Sequence, residues 1–441
     1  MARLRFPAIL LVLAAWIPAT ALAADFTAVS SSADKGDPFD GTLTVRYDWA
    51  QRQTRISREF ACTPGLPGCP SRPTTVTRAE LESSRVQHTM TIDARIGLYH
   101  DLELFASLPV VMGDRASLGF APGVDGTNST VNPNFGPSLF QAHQTFRSRS
   151  GLGDMTVGLR WAPACQWRNA YQPTVLLGVA YTAPTGTVKR ATNSAVGMGL
   201  HTLRLDVAAS RRIRFAEPYL GVSGTLRMAN TPGTTLFKNY DSSTQGKVNP
   251  GSILGLTAGT EFYPWLRTRA DGKPERFVSI DVGLAATYTF AGREQTDLFE
   301  ALGASACAGD PQCAGAPGNK NLLAYDRTLD GKPQAITSTD GVTDVSSYGT
   351  VATWAGVTVQ PIPWVSMSLR FTYTRETSHF LTNANTGVNS DSGNNTIELV
   401  NDSKKNEYNP VYDSAIDDPG KRFRSDGTNI YGVMLTLSGK L

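Results

Sequence analysis

The chain carries five cysteines and five histidines, and their spacing decides what chemistry they could do. Cys62-Thr-Pro-Gly-Leu-Pro-Gly-Cys69 and Cys307-Ala-Gly-Asp-Pro-Gln-Cys313 are two closely spaced pairs, each in a stretch rich in Gly, Pro, Asp or Ala. In an exported chain such pairs read as local disulfides that pin loop tips; zinc is the weaker alternative, because no His accompanies either pair. Cys165 is left over beside Trp167 and reads as an unpaired, partly buried thiol, with a redox or intermolecular role as its alternative. His88, His100, His143, His201 and His379 are scattered, and none falls in a His-Glu-x-x-His or other ligand spacing. There is no Gly-x-Ser-x-Gly elbow and no phosphate-cradling loop. Asn389-Ser-Asp-Ser-Gly-Asn-Asn395 lacks the ligand spacing and closing Glu of a calcium loop, so flexibility explains it better. These residues predict no catalytic group, no metal site and no cofactor.

A second set of polar residues is defined by parity. Arg46, Asp48, Asp93, Arg95, Glu103, Asp154, Arg160, Arg204, Asp206, Glu261, Asp281 and Arg370 each alternate with apolar neighbours in stretches of period two. They are predicted to line the inside of a barrel, with both signs in nearly equal number. Most sit near the short-turn ends of their strands, which predicts pairing across a narrow lumen and a charged constriction in the periplasmic half.

The elements that would position them are strands. From Arg85 to Val111 two arms alternate about a tight turn at Tyr99-His100-Asp101: Val86, His88, Met90, Ile92, Ala94 and Ile96 on one parity, then Leu102, Leu104, Ala106, Leu108 and Val110. Each arm is roughly ten residues, the length a tilted strand needs to cross a bilayer. The same alternation recurs at 43–49, 151–161, 174–183, 202–210, 219–228, 253–263, 277–290, 348–359, 365–374 and 430–441. Connections alternate between short, as at Gln360-Pro-Ile-Pro-Trp364, and long, as at 112–150, 229–250, 291–347 and 375–428. A soluble sandwich gives no reason for that asymmetry. Trp161, Trp265 and Trp364 fall at the short-turn ends, and Trp49, Tyr181, Tyr288 and Tyr373 towards the long-loop ends, as two interfacial girdles would.

The start of the chain fits export. Arg3 and Arg5 precede the apolar run from Ile9 to Ile17, and Ala21-Leu22-Ala23 follows as a small-residue cleavage site. Residues 1–23 read as a signal peptide, 24–40 as a short periplasmic N-terminal lead and 41–441 as the barrel. No later stretch approaches twenty apolar residues, so the way left to cross a membrane is a closed barrel. Charged residues make up 18%, the net charge is +3 and the mean hydropathy is −0.20, as expected when only alternate strand residues are apolar. No basic block or aromatic-and-basic repeat exists, which argues against nucleic acid.

Ser150-Gly-Leu-Gly-Asp-Met-Thr-Val-Gly-Leu-Arg-Trp161, Leu177-Gly-Val-Ala-Tyr-Thr-Ala-Pro-Thr-Gly186 and Leu108-Pro109 together carry a family resemblance. They resemble the outer-membrane transporter family assigned to phenol meta-degradation pathways, which pairs a Gly-x-Gly-Asp strand start with a strand ending in Pro-Thr-Gly. The resemblance covers mainly residues 85–186. It implies a channel-like barrel passing aromatic or other hydrophobic compounds. The chain departs from that pattern in its very long fifth and sixth outer loops, so no substrate carries over. It ends at Leu441 where most outer-membrane barrels end in Phe, which leaves the assembly signal from Tyr431 imperfect.

The fold expected is therefore all-β: an antiparallel up-and-down transmembrane β-barrel of about twelve strands, with long extracellular loops and short periplasmic turns, in the bacterial outer membrane. Its expected partners are outer-membrane lipid, a small-molecule solute and the barrel-assembly machinery. The function expected is a passive channel or transporter for small molecules. A structural or adhesive barrel that binds a partner through its outer loops, and a barrel enzyme acting on lipids, are the competing readings.

Overall fold

Strands with one apolar face and no water to satisfy their edges must close on themselves, and this chain does. The computed structural model describes residues 26–33, 39–62, 74–134, 138–191, 193–229, 249–268, 274–305, 341–387 and 412–440. Twelve strands form its wall: β1 Gly41–Cys62, β2 Thr74–Tyr99, β3 Leu102–Phe120, β4 Thr156–Ala164, β5 Thr174–Thr182, β6 Leu200–Ser210, β7 Ala216–Ala229, β8 Ile253–Thr268, β9 Pro274–Thr289, β10 Tyr348–Ile362, β11 Val365–Glu376 and β12 Phe423–Lys440. Each pairs antiparallel with its neighbours in sequence, and β12 returns to β1 from Thr42↔Lys440 to Arg58↔Phe423. Leu43, Leu205, Val207, Leu220, Val222, Leu284, Leu435 and Leu437 stand exposed on the outer face, and Trp161, Trp265, Trp364, Tyr181, Tyr288 and Tyr373 are exposed near its margins. Among the described residues no helix is long and apolar enough to cross a membrane.

The period-two pattern locates every one of these strands but underestimates four. Thr74–Ser84 and Met112–Phe120, expected as loop, continue β2 and β3, and β1 and β12 are longer than the pattern shows. The physical reason is bulging. Register shifts at Thr54/Ile56, Ile56/Ser57 and His88/Thr89 flip the parity partway up the strands, so the alternation breaks although the ladder continues. The wall is consequently uneven: β2 runs 26 residues and β5 only 9. The ladder between β3 and β4 is the shortest interstrand run, from Leu102↔Trp161 to Ser107↔Thr156. Beyond it Pro109, which has no N–H, accepts from Gly153 N at 2.9 Å. Arg149–Leu152 then rejoins β3 higher up.

The inside of the barrel is layered. In the outer half, the loops after β3, β9 and β11 fold inward against the tall part of the wall. Ile56, Leu81, Leu118 and Phe423 from the wall meet Val131, Leu139 and Phe140 from the first loop, Leu298, Ala301 and Leu302 from the second, and Leu381 and Ile416 from the third, all essentially buried. A short helix α1, Phe299–Ser305, and a two-stranded ribbon of Gly292–Glu294 with Thr343–Val345 belong to this plug. Fully burying a side chain such as Leu or Phe contributes about 1.5–3 kcal/mol, so a dozen of them make the plug a packed core rather than a draped loop.

At the periplasmic end the described lead, residues 26–33, lies within the barrel mouth. Ser32 Oγ donates to the Gly97 carbonyl at 2.7 Å, Asp101 N donates to Ser31 Oγ at 3.0 Å and Ser30 N donates to Glu103 Oε2 at 2.8 Å. Gly97 has to be glycine for this approach, because a Cβ would stand 2.7 Å from the Ser31 backbone. Farther along, Thr27 Oγ1 lies 2.7 Å from Ser210 Oγ, whose own proton goes to Glu217 Oε1 at 2.7 Å. The lead thus crosses from the β2–β3 turn to the β6–β7 wall. Asp101 closes the first turn with a left-handed φ of 51°, a conformation that Asp tolerates.

Candidate functional site

Between the plug and the lead, several inward side chains of the middle wall, among them Arg46, Asp48, Arg204 and Arg370, are partly exposed, and the space they face is termed the chamber. Its chemistry starts from pairs of facing residues. Phe105 is opposite Gly158, Tyr219 opposite Gly259, and Trp354 opposite Gly283 in the strand ladders. A Cβ on any of these glycines would collide with the facing ring, so the rings lie down over the bare backbone instead of projecting into the lumen. Phe26 of the lead lies in the same way over Gly221 and stacks on Tyr219, with ring centroids 4.9 Å apart. Flat aromatic faces therefore line part of the inner wall.

Asp281 ties one side of this set together. It accepts from the Tyr219 hydroxyl at 2.6 Å, Trp354 Nε1 at 2.7 Å and Arg370 Nη2 at 3.0 Å. Three donors fix the two rings and the guanidinium to one carboxylate, and Arg370 lies 5.9 Å from the Trp354 ring centre. Across the lumen Arg160 sits over Phe105 at 5.1 Å, and Arg95 is opposite Phe105 in the β2–β3 ladder.

Besides Arg95 and Arg160, the ten other charges named by parity fall into three groups. Arg46 with Asp48 at 3.0 Å and Asp93 at 3.7 Å, Arg204 with Asp206 at 2.8 Å, and Arg370 with Asp281 form ion pairs in the chamber. These pairs run along one strand or between nearby strands, whereas the clustering at strand ends predicts pairing across the lumen. A two-residue offset puts both partners on the same face of one strand, and that distance is far shorter than any across a barrel. Glu103 and Glu261 are buried at the lead's level, where Glu103 holds Ser30. Asp154 serves a loop: its carboxylate accepts from Gly186 N at 2.9 Å and Met198 N at 2.8 Å, and Met155 N donates to Thr185 Oγ1 at 2.9 Å. The Gly-Asp and Pro-Thr-Gly segments that carry the family resemblance thus hold each other, fastening the loop after β5 over the short side of the wall.

The rings of Tyr219 and Trp354 and the part played by inward glycines are what parity alone misses. Their signal is cross-strand: an inward glycine directly opposite an inward aromatic. Of the cysteine pairs, the side chain of Cys62 and all of Cys69, Cys307 and Cys313 lie outside the described residues, as does 389–395. Cys165 is a free, buried thiol whose pKa is raised by burial. Among the described residues no group of His, Cys, Asp and Glu could hold a metal ion. His88 Nδ1 is 2.7 Å from the Tyr47 hydroxyl, and His379 stacks on Tyr348 at 4.2 Å.

Above the chamber the plug is fastened by buried charges. Arg149 Nε donates to Glu300 Oε1 at 2.8 Å, while its other nitrogens bind the Arg190, Asn193 and Ala195 carbonyls at 2.7–3.1 Å. Arg52 pairs with Asp297 at 3.0 Å and Glu376 at 2.7 Å, and Arg293 with Asp344 at 3.2 Å. Burial works against a charged Asp297, yet Arg52 and the bonds from Arg52 and Thr54 hold its pKa below the usual carboxylate range. Burial, with Arg85 and Arg149 nearby, pushes Lys189 down to about 8 even though Glu300 lies 3.6 Å away. Burial pushes Asp417 up to about 8; its bonds from Ala384 N and Asp413 N oppose the rise, and Asp344 and Asp413 add to it.

A closed antiparallel ladder with an apolar exterior, aromatic margins and a polar interior defines a β-barrel of the bacterial outer membrane. No protein-family model matches the chain, and no curated protein sequence does. Among solved structures it is similar to an outer membrane channel from Pseudomonas putida F1, at 13% identity over 93% of this chain and 100% of that one, with a TM-score of 0.41. It is also similar to a FadL homologue from Pseudomonas aeruginosa, at 11% identity over 91% of this chain and 90% of that one, with a TM-score of 0.30. A variant of the TodX monoaromatic hydrocarbon channel matches at 7% identity over 92% and 91% of the two chains, with a TM-score of 0.32.

Proposed function

We propose that this barrel is a passive outer-membrane channel for small hydrophobic or aromatic solutes, which pass through the mid-lumen chamber. The observation that carries the reading is the set of rings laid flat on glycine: Phe105 on Gly158, Tyr219 on Gly259 and Trp354 on Gly283. Rings that merely stabilised a wall could project inward and fill it. Held flat, the partly exposed rings of Phe105 and Trp354 leave room and offer aromatic surface to a passing solute, while Tyr219 is covered by Phe26. The barriers at either end, the outer plug and the lead, belong to no barrel strand, so both can shift while the ladder stays closed.

The full-length protein in planar bilayers should give discrete conductance steps, and liposomes containing it should take up phenyl glucoside, a neutral aromatic that crosses lipid slowly. Replacing Phe105 and Trp354 with Ala should change the uptake ratio of phenyl glucoside to methyl glucoside. A folded barrel with neither steps nor uptake overturns the channel reading. The packed outer plug favours one second reading, a structural or adhesive barrel without a pore, which that negative result together with partner binding through the outer loops would select.

A further inference from the structure

Resting on the channel reading, we propose that the chamber is selective for aromatic anions: the ring of the solute lies on the flat wall aromatics and its acid group meets lumenal guanidinium groups. Although acids and bases are balanced in number, they are not equally presented. Arg204 is 54% exposed and its partner Asp206 29%; Arg370 is 33% exposed and Asp281 13%; Arg46 is 37% exposed and Asp93 12%. Only Asp48 matches its arginine, at 36%. In the other pairs the carboxylate lies back against the wall and the guanidinium faces the water.

Hydrogen-bond capacity points the same way. Asp281 already accepts from three donors, and one oxygen of Glu103 is taken by the lead. A guanidinium has five N–H donors, more than one neighbouring carboxylate can use, so paired arginines still have protons to offer. Arg95 has no carboxylate partner among the described residues, and it lies in the same ladder row as Phe105, over whose ring Arg160 sits. A ring with one guanidinium beside it and a second arginine in the same ladder row suits a planar carboxylate or sulfonate joined to an aromatic ring, since Arg binds such groups through two parallel bonds. An aliphatic anion would gain only the charge half of this contact, and a neutral aromatic only the ring half.

The test uses the full chain in planar bilayers under gradients of sodium benzenesulfonate, sodium methanesulfonate and phenyltrimethylammonium chloride, with phenyl glucoside uptake into liposomes alongside. Reversal potentials should show benzenesulfonate roughly threefold or more as permeant as phenyltrimethylammonium, and more permeant than the smaller methanesulfonate. Arg160→Gln with Arg204→Gln should bring the first ratio close to unity, and Phe105→Leu should remove the second preference, each in protein whose gel mobility shows a folded barrel. Equal permeation of the two aromatic ions while phenyl glucoside still passes overturns anion selectivity and leaves the channel reading standing. Methanesulfonate outrunning benzenesulfonate overturns the ring contact. If none of the probes crosses, the channel reading fails and this inference with it.

Discussion

Arg149 and Arg204 are both paired arginines inside the barrel, yet the side chain of the first is 2% exposed and that of the second 54%. The outer half of the lumen surrounds its charges with packed Leu, Ile and Phe and ties its guanidinium groups to carboxylates and backbone carbonyls, as Arg149 shows. The middle sets its charges over glycine and leaves them wet. Removing a partner from a buried pair strands a charge in a medium that cannot solvate it, whereas water replaces the partner of an exposed one. The same residue types therefore close the lumen in one layer and keep it open in the other, and the difference lies in what surrounds them.

The strongest way to break this contrast is at Arg149. Arg149→Ala leaves buried Glu300 with Lys189 as its remaining cationic neighbour and frees the loop carbonyls Arg149 holds, at an expected cost to plug docking of about 3–5 kcal/mol. Limited proteolysis should cut the loop that carries α1 much faster, and mean conductance should rise. The barrel should still run as a heat-modifiable band, because no wall strand loses a bond. A variant with wild-type protease resistance would show that the plug does not depend on its buried charges.

A smaller effect, on the order of a few kcal/mol, is expected from pH. Asp417 has a folded pKa of about 8, above its unfolded value, so the folded plug binds the extra proton between about 4 and 8. Its contribution to stability is full below that window and is lost as pH rises through about 8. Lys189 has a folded pKa of about 8, below its unfolded value near 10.5, so its contribution is present above 10.5 and is lost as pH falls through about 8. The plug should therefore be least stable near pH 8, and the frequency of channel opening should peak there. Asp417→Asn should flatten the acid limb and Lys189→Gln the alkaline one. Opening that does not vary with pH in the wild-type protein would count against both assignments.

The smallest effect sharpens the comparison from the other side. Arg204→Gln should change barrel stability by no more than about 1 kcal/mol, since its pair with Asp206 is solvent-screened. Urea titration of folded protein in detergent would measure this. A loss as large as that expected at Arg149 would mean that the chamber is as dry as the plug.

How much of this the chain reveals by itself follows from the same two layers. Wherever one strand face meets lipid and the other the lumen, residues such as Val278, Ile280, Val282 and Leu284 alternate without a break, and every strand was legible. Above the membrane the inner face of β1–β3 and β12 packs against the plug, bulges flip the parity, and Ile56, Leu81 and Phe423 ceased to look like strand residues. Parity picks out the arginines of alternating strands, but it says nothing of how the inward rings lie, because that depends on glycines of the neighbouring strand that face them in the ladder. Gly283 and Trp354 are separated by a long loop, and only the register of β9 with β10 brings them face to face.

The unequal ladders have a mechanical consequence. β12 holds β1 through a run from Thr42↔Lys440 up to Arg58↔Phe423 with a single register shift, while β3 and β4 share only the stretch from Leu102↔Trp161 to Ser107↔Thr156 before the proline. Bonds in such a ladder share a sideways load, so a longer run resists more of it. The join of β12 to β1 is thus a reinforced edge, and the weaker joins of the wall lie on its short side, among β3, β4 and β5.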